Sequence, residues 1–269
     1  MDLSFRHLRP AAERLTHRIV VPRRLPAPFR RARIYVSSEG GLRYLRPRLS
    51  AVDPPLLRVV GEVVPAGAVV WDIGANVGLF SFASAAAAGP TGRVLAVEPD
   101  AWLVTLLRRS AASNRGLAPV DVVPVAIGDR VGVGRFHIGR RNRSTSHLDG
   151  FGTAQAGGVR STELVPMVTL DWLLDHFPRP DVLKIDIEQA EVLALAGAAS
   201  VLATCPVVIC EVAQANAARV RQLLRPFGYE FFDCAQPDQL RRPLDEVPWA
   251  LLARPASARS ASTVSWNQA

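Results

Sequence analysis

The stretch Val69-Val70-Trp71-Asp72-Ile73-Gly74-Ala75-Asn76-Val77-Gly78 constrains the chain more than any other. Val69, Val70 and Trp71 are β-formers in a short apolar run, which suits a parallel strand covered on both faces. Asp72 ends the strand. Gly74 allows a backbone bend without a Cβ, and Gly78 lets the next helix start close to the sheet. Leu79 to Ala88 are small or apolar and suit close packing. A strand, a glycine turn and a helix in this order aim free N–H groups at whatever binds above the strand end. The dinucleotide fingerprint G-x-G-x-x-G fails here, because its third and sixth positions hold Asn76 and Leu79. No Gly-Lys-Ser/Thr follows, which excludes a phosphate-binding loop of that kind.

The β-turn-α unit recurs. Arg93–Val97 reads as a second strand ending at Glu98-Pro99, about twenty residues after the glycine turn. In nucleoside-binding α/β folds an acid at that distance accepts hydrogen bonds from ribose hydroxyls. Trp102–Ser113 reads as a helix, and Val120–Val125 as a third strand with Ala126-Ile127-Gly128-Asp129 at its end. After an interruption, Thr169 caps a short helix and Asp181–Ile187 forms a fourth strand. Val192–Leu202 is a helix, Pro206–Ile209 a fifth strand ending at Cys210-Glu211, and Ala215–Leu224 a helix. Gly228–Asp233 and Trp249–Ala253 complete the pattern as strands. Such a series implies a parallel sheet with right-handed crossovers.

Three segments stand outside this rhythm. Residues 1–33 carry nine arginines against Asp2 and Glu13, and so hold most of the net charge of +8. They read as a basic arm, solvated or packed on the surface. The sharper readings are an acidic surface, a partner protein or nucleic acid. No aromatic residues alternate with the arginines as a single-strand stacking platform requires. Residues 130–165 hold seven glycines, with strand-like Arg135–Ile138 and Leu164–Val168 around polar Arg140–His147. That pattern predicts an antiparallel excursion with a mobile loop over the ligand. Residues 254–269 are rich in serine and alanine and are expected to be a disordered tail. One domain therefore spans 34–253. It opens with a small hairpin of Ile34–Val36 and Leu42–Tyr44 around Glu39-Gly40-Gly41, then a helix over Pro54–Val64 capped by Asp53.

At 269 residues and 49% hydrophobic content the chain buries a sizeable core. No apolar run reaches the roughly 18 residues that span a bilayer, and no apolar signal region follows the first arginines. Three cysteines, odd in number and without metal-ligand spacing, are expected to be reduced in a cytoplasmic protein. Of 32 basic residues, 31 are arginine, which fits a GC-rich coding bias; the single lysine, Lys184, stands out.

The pattern D-x-G-x-N-x-G in Asp72–Gly78 resembles motif I of class I S-adenosylmethionine-dependent methyltransferases. Together with Val97-Glu98-Pro99, Val168-Thr169-Leu170-Asp171, Leu183-Lys184-Ile185-Asp186-Ile187-Glu188, Ala190-Glu191 and the Glu211 strand end, it resembles the FkbM family of methyltransferases over roughly residues 65–215. The resemblance implies an α/β, Rossmann-like fold: a mostly parallel seven-stranded sheet in the order 3-2-1-4-5-7-6 with helices on both faces. It implies cofactor-binding roles for Asp72, Ile73, Gly74, Ala75, Asn76, Gly78, Glu98, Pro99, Ala126 and Ile127. In that order the strands ending in Glu98, Asp72, Asp186 and Glu211 are neighbours, and Lys184 shares a strand face with Asp186.

The implied activity is S-adenosylmethionine-dependent O-methylation of a hydroxyl on a small natural product, sugar or glycan. Lys184, Asp186 and Glu188 are the candidate catalytic residues, with His147 as an alternative base. Gln189 stands where the family usually has glycine, and would narrow the acceptor pocket or fill it with an amide. Asp186, Glu188 and Glu211 are also a possible Mg²⁺ set, although no dedicated metal site is expected. The alternatives are a nucleic-acid methyltransferase that uses the basic arm and a non-catalytic S-adenosylmethionine-binding protein of the same fold. Against the first, Asp186-Ile187-Glu188 is not the Asn/Asp-Pro-Pro-aromatic motif of base amino-group methylation.

Overall fold

The computed structural model describes residues 19–152, 157–236 and 242–256. Strand β1 (Val21–Arg24) pairs antiparallel with β2 (Arg33–Val36), placing Val21 opposite Val36 and Arg24 opposite Arg33. This corrects the expected hairpin. Ser38–Gly40 and Leu42–Leu45 are short 3-10 turns, and β2 takes its partner from the arm instead. The cause is burial. Leu25, Phe29 and Ala32 enter the core from the β1–β2 connection, whereas Leu42 and Arg43 stay exposed. Gly40 is needed for close approach rather than for a hairpin turn, since a Cβ there would meet Val77 Cγ1 at 2.4 Å. Residues 19–33 are thus built into the domain, and residues 1–18 of the arm lie outside the described residues.

Helix Pro54–Val63 starts as expected, with Asp53 Oδ1 accepting from Leu56 N at 3.0 Å. β3 (Val69–Ile73), helix Leu79–Ala88, β4 (Arg93–Val97) and helix Ala101–Ser113 follow. β5 (Val120–Val123) is shorter than expected, because Pro124 has no N–H to extend the ladder. Ala126–Ile127 becomes a separate strand, β6.

The excursion is more regular than its glycines suggest. β7 (Gly132–Gly139), β8 (His147–Leu148) and β9 (Val159–Val168) join β6 in a four-stranded sheet of order β6-β9-β7-β8. Helix Leu170–Leu174 and β10 (Val182–Ile185) return the chain to the main sheet. The expected Val192–Leu202 helix is two helices, Glu191–Ala196 and Ala199–Ala203. Gly197 breaks it: a Cβ there would lie 2.8 Å from Gly128 O, and the Asp171 carboxylate caps the second helix at Ser200 N and Val201 N. β11 (Val207–Glu211), helix Ala217–Leu224, β12 (Tyr229–Asp233) and β13 (Ala250–Pro255) complete the fold. β13 runs past the expected start of the tail, and residues 257–269 lie outside the described residues.

The main sheet has seven strands in the order β5-β4-β3-β10-β11-β13-β12. Numbered along the chain within that sheet, this is the expected 3-2-1-4-5-7-6. Every neighbouring pair is parallel except those made by β13, which runs antiparallel to β11 and β12. One face is covered by helices Pro54–Val63, Leu79–Ala88 and Ala101–Ser113 together with β1–β2, and the other by the helices between Leu170 and Leu224. Both faces are dry, which is why the central strands read as unbroken apolar runs. Among the described residues no helix is long and apolar enough to cross a membrane.

Candidate functional site

A cavity of about 720 Å³ opens along the carboxyl ends of β4, β3, β10 and β11. This is the edge where open α/β sheets place ligands. Its first wall is the turn after β3. Gly74 has φ +79°, and a Cβ there would sit 2.0 Å from Asp186 O, so only glycine lets the ends of β3 and β10 meet. Gly74 N and Ala75 N donate to Val97 O, tying the turn to β4. Asn76, at φ +51°, lines the cavity, and its Oδ1 is buried without a partner.

Glu98 follows β4. Its Oε2 accepts from Asn76 N at 2.8 Å and its Oε1 from Asp100 N at 3.0 Å. Burial, reinforced by the charge of Asp100, pushes its carboxyl up to about 7. Two backbone bonds fix its orientation, and each oxygen of this cavity-lining carboxylate can accept a further hydrogen bond. Ile73, Pro99, Ala126 and Ile127 also line this end.

Asp72 and Lys184 form the support for the other end. They are register partners on β3 and β10, and Lys184 Nζ lies 3.0 Å from Asp72 Oδ1. The ammonium also donates to Gly74 O at 3.0 Å and reaches Asp186 Oδ2 at 3.5 Å. Burial alone would lower the lysine's pKa, but the Asp72 and Asp186 carboxylates raise it, so it stays charged. Asp72 is fully buried and also accepts from the Ser81 hydroxyl. Neither Asp72 nor Lys184 is on the cavity wall; nor are Ala75 and Gly78.

Asp186, Glu188 and Glu211 do line the cavity. Burial, with the charges of Asp186 and Glu191 behind it, pushes Glu188 up to about 7. Burial and the Asp186 charge push Glu211 up to about 8. Glu188 makes no hydrogen bond or ion pair among the described residues. It has φ +52° and Gln189 φ +78°, so the backbone at 189 takes a conformation that glycine adopts without strain. Gln189 is not on the cavity wall, which corrects the expectation that its amide fills the pocket. Among the described residues no three of His, Cys, Asp and Glu gather into a metal-holding group, so the Mg²⁺ set of Asp186, Glu188 and Glu211 is not formed.

The excursion roofs the cavity with residues 141–148. Arg143 ties this roof down: Nε donates to Glu39 Oε2 at 2.6 Å and Nη1 to Asp100 Oδ2 at 2.7 Å, while Arg160 reaches Glu39 Oε1 at 2.9 Å. His147 is buried in this roof. Its Nδ1 lies 3.0 Å from Thr145 O, which puts the proton on that nitrogen. Arg43 and Trp249 also border the cavity, and Trp249 is 58% exposed. Sequence reading missed both, as well as Arg143. Arginine is too common in this chain for any one to signal a role.

A family model described as the methyltransferase FkbM domain matches residues 72–231. Comparison with curated proteins finds no match. Among solved structures, the FkbM methyltransferase of Methylobacillus flagellatus KT is 13% identical with a TM-score of 0.45, over 76% of this chain and 59% of that one. An S-adenosylmethionine-dependent O-methyltransferase from Thermotoga maritima is 13% identical with a TM-score of 0.38, over 75% and 64%. The Pyrococcus abyssi tRNA (uracil-54, C5)-methyltransferase, in complex with S-adenosyl-L-homocysteine, is 14% identical with a TM-score of 0.43, over 79% and 38%. The chain spans less than two thirds of each of these proteins.

Proposed function

The chain belongs to the FkbM family of methyltransferases, and we propose that it transfers a methyl group from S-adenosylmethionine to a hydroxyl of a small natural product, sugar or glycan. The observation that carries this reading is one continuous cavity. It joins the oriented Glu98 carboxylate and the Gly74–Asn76 turn to Asp186 and Glu188 on the next strand end but one. The residues fit the cofactor. The unpartnered Asn76 Oδ1 and the free lone pairs of Glu98 await donors, and Ala126 and Ile127 offer an apolar border for a purine.

When bound, S-adenosylmethionine supplies an activated methyl group on a sulfonium. The chain's own work is then alignment and proton removal. Glu98 accepts from the ribose hydroxyls. Lys184 acts through Asp186, whose carboxylate it anchors, and being held charged it is not a proton acceptor. Glu188, unpaired and pushed up to about 7, has the pKa that suits a general base at neutral pH and takes the acceptor's proton.

The test is methyl transfer from labelled S-adenosylmethionine to a panel of hydroxyl acceptors, sugars and tRNA, with Glu188→Gln as the control. Label on a hydroxyl oxygen, lost in the variant, supports the reading. Label on tRNA, or cofactor binding without transfer to any acceptor, overturns it.

A further inference from the structure

Two packed elements carry only positive charge. The segment 19–36 and the segment 101–120 hold Arg23, Arg24, Arg30, Arg31, Arg33, Arg108, Arg109 and Arg115 and no aspartate or glutamate. Composition does not explain this, because the whole chain sets 24 acids against its 32 basic residues. The two segments are one surface. Ser110 Oγ accepts from Tyr35 N at 2.9 Å, Asn114 Oδ1 accepts from Arg33 N at 2.8 Å, and the Arg109 guanidinium lies 4.1 Å from the Tyr35 ring centroid. Strand alternation puts Arg24, Arg33 and Tyr35 on the outward face of the hairpin, with Ile34 and Val36 turned to the core. Arg24 and Arg33 are direct cross-strand partners, an arrangement that costs stability between like charges. Among the described residues none of the eight makes an ion pair; Arg23, on the inward face with Ile34, donates to the Tyr44, Arg46 and Pro47 carbonyls, and the other seven form the basic face. Arg24, Arg30, Arg31, Arg108, Arg109 and Arg115 are exposed.

We propose that this face attaches the protein to an anionic lipid surface. Charge complementarity requires a polyanion, and the chain around the patch favours lipid over nucleic acid. The eighteen residues before Ile19 in the sequence mix four more arginines, against Asp2 and Glu13, with Met1, Leu3, Phe5, Leu8 and Leu15. Ile19 itself is 54% exposed. Basic and apolar side chains together suit a headgroup boundary, whereas nucleic acid offers apolar side chains little. The patch includes the C-terminal end of helix Ala101–Ser113, whose N-terminal cap, Asp100, is beside the cavity. Binding there leaves the cavity open.

The full chain is sedimented with phosphatidylcholine vesicles, with and without phosphatidylglycerol. Binding is expected only with the anionic lipid, and is lost at about 1 M salt, where the screening length falls to about 3 Å. Each basic side chain near such a surface contributes roughly fivefold in affinity. Changing Arg30, Arg31, Arg108 and Arg115 to glutamate should therefore weaken binding by roughly two orders of magnitude or more, with glutamine at the same positions giving a similar or smaller loss. These side chains are exposed, so the thermal midpoint and S-adenosylhomocysteine binding stay unchanged. Equal binding to neutral vesicles, full binding by the glutamate variant, or tighter binding to duplex RNA than to anionic vesicles overturns the proposal.

Discussion

Lys184 Nζ lies 3.0 Å from Asp72 Oδ1, and the two are register partners on adjacent parallel strands at the middle of the sheet. The contact is off the hydrogen-bonding angle at that oxygen, so charge chiefly holds the pair. A fully buried aspartate thereby sets where the chain's single lysine sits, and the lysine in turn anchors Asp186 at the cavity wall.

Lys184→Met strands Asp72 in the core without a counter-charge. Breaking a buried pair from one side costs about 3–5 kcal/mol, so the denaturant midpoint should fall sharply. Asp72→Asn combined with Lys184→Met should recover much of that loss, which a double-mutant cycle measures. Additive losses in the double variant would show that the two residues act independently.

Glu98 gives binding a pH signature. Its folded pKa of about 7 is above the ordinary value of 4.5, so the unfolded chain ionises first as pH rises. The stability this group contributes is full below about 4.5 and is lost as pH climbs through about 7. Ribose hydroxyls donate to the ionised form, so cofactor affinity moves the other way and levels off above that range. Calorimetry should find S-adenosylhomocysteine binding roughly tenfold weaker at pH 6 than at pH 8. Glu98→Ala should weaken binding by at least about tenfold and flatten this dependence.

Glu188→Gln keeps the shape and removes the proton acceptor. Turnover should drop by roughly a hundredfold or more while cofactor affinity changes only a few-fold. Asp186→Asn should act differently, because it removes the charge that, behind burial, pushes Glu188 up, while Lys184 stays held by Asp72 and the Gly74 carbonyl; the turnover it retains should follow a pH profile shifted to lower pH. If Glu188→Gln turns over normally with the true acceptor, His147 in the roof is the next residue to test.

Removing residues 1–33 should destabilise the domain, since β2 loses its partner strand and the core loses Leu25, Phe29 and Ala32. Removing only residues 1–18 should leave S-adenosylhomocysteine binding unchanged. Comparing the thermal midpoints of the two truncations checks this directly.

Arg143→Ala opens the clasp and leaves the Asp100 carboxylate, fully buried, without its guanidinium. Stopped-flow measurement should show S-adenosylhomocysteine released about tenfold faster, equivalent to about 1.4 kcal/mol. An unchanged release rate would mean that the roof closes without the clasp.

What the sequence revealed was what the backbone decides locally. Gly74 and Glu98 sit at strand ends whose turn chemistry is written in adjacent residues, and the parallel sheet followed from the β-turn-α series, whereas its strand order came from the resemblance to class I methyltransferases. Asp72 was legible as a strand-end acid but not as a buried one, because its fate depends on the register that sets Lys184 beside it. The β1–β2 pairing was missed because it depends on Leu25 and Phe29 finding the core, a long-range matter of packing. Arg143 could not be picked out: Glu39 is 104 residues away, and 30 other arginines share its chemistry.

The Glu39–Arg143–Asp100 clasp also limits how a chain like this can be re-engineered or diverge. The roof comes from the excursion after β6 and its latch from the turns after β2 and β4, so the three work only as a matched set. Grafting a relative's excursion alone leaves Glu39 and Asp100 facing the wrong side chains. A working chimera has to exchange residues 37–45 and position 100 together with 130–165.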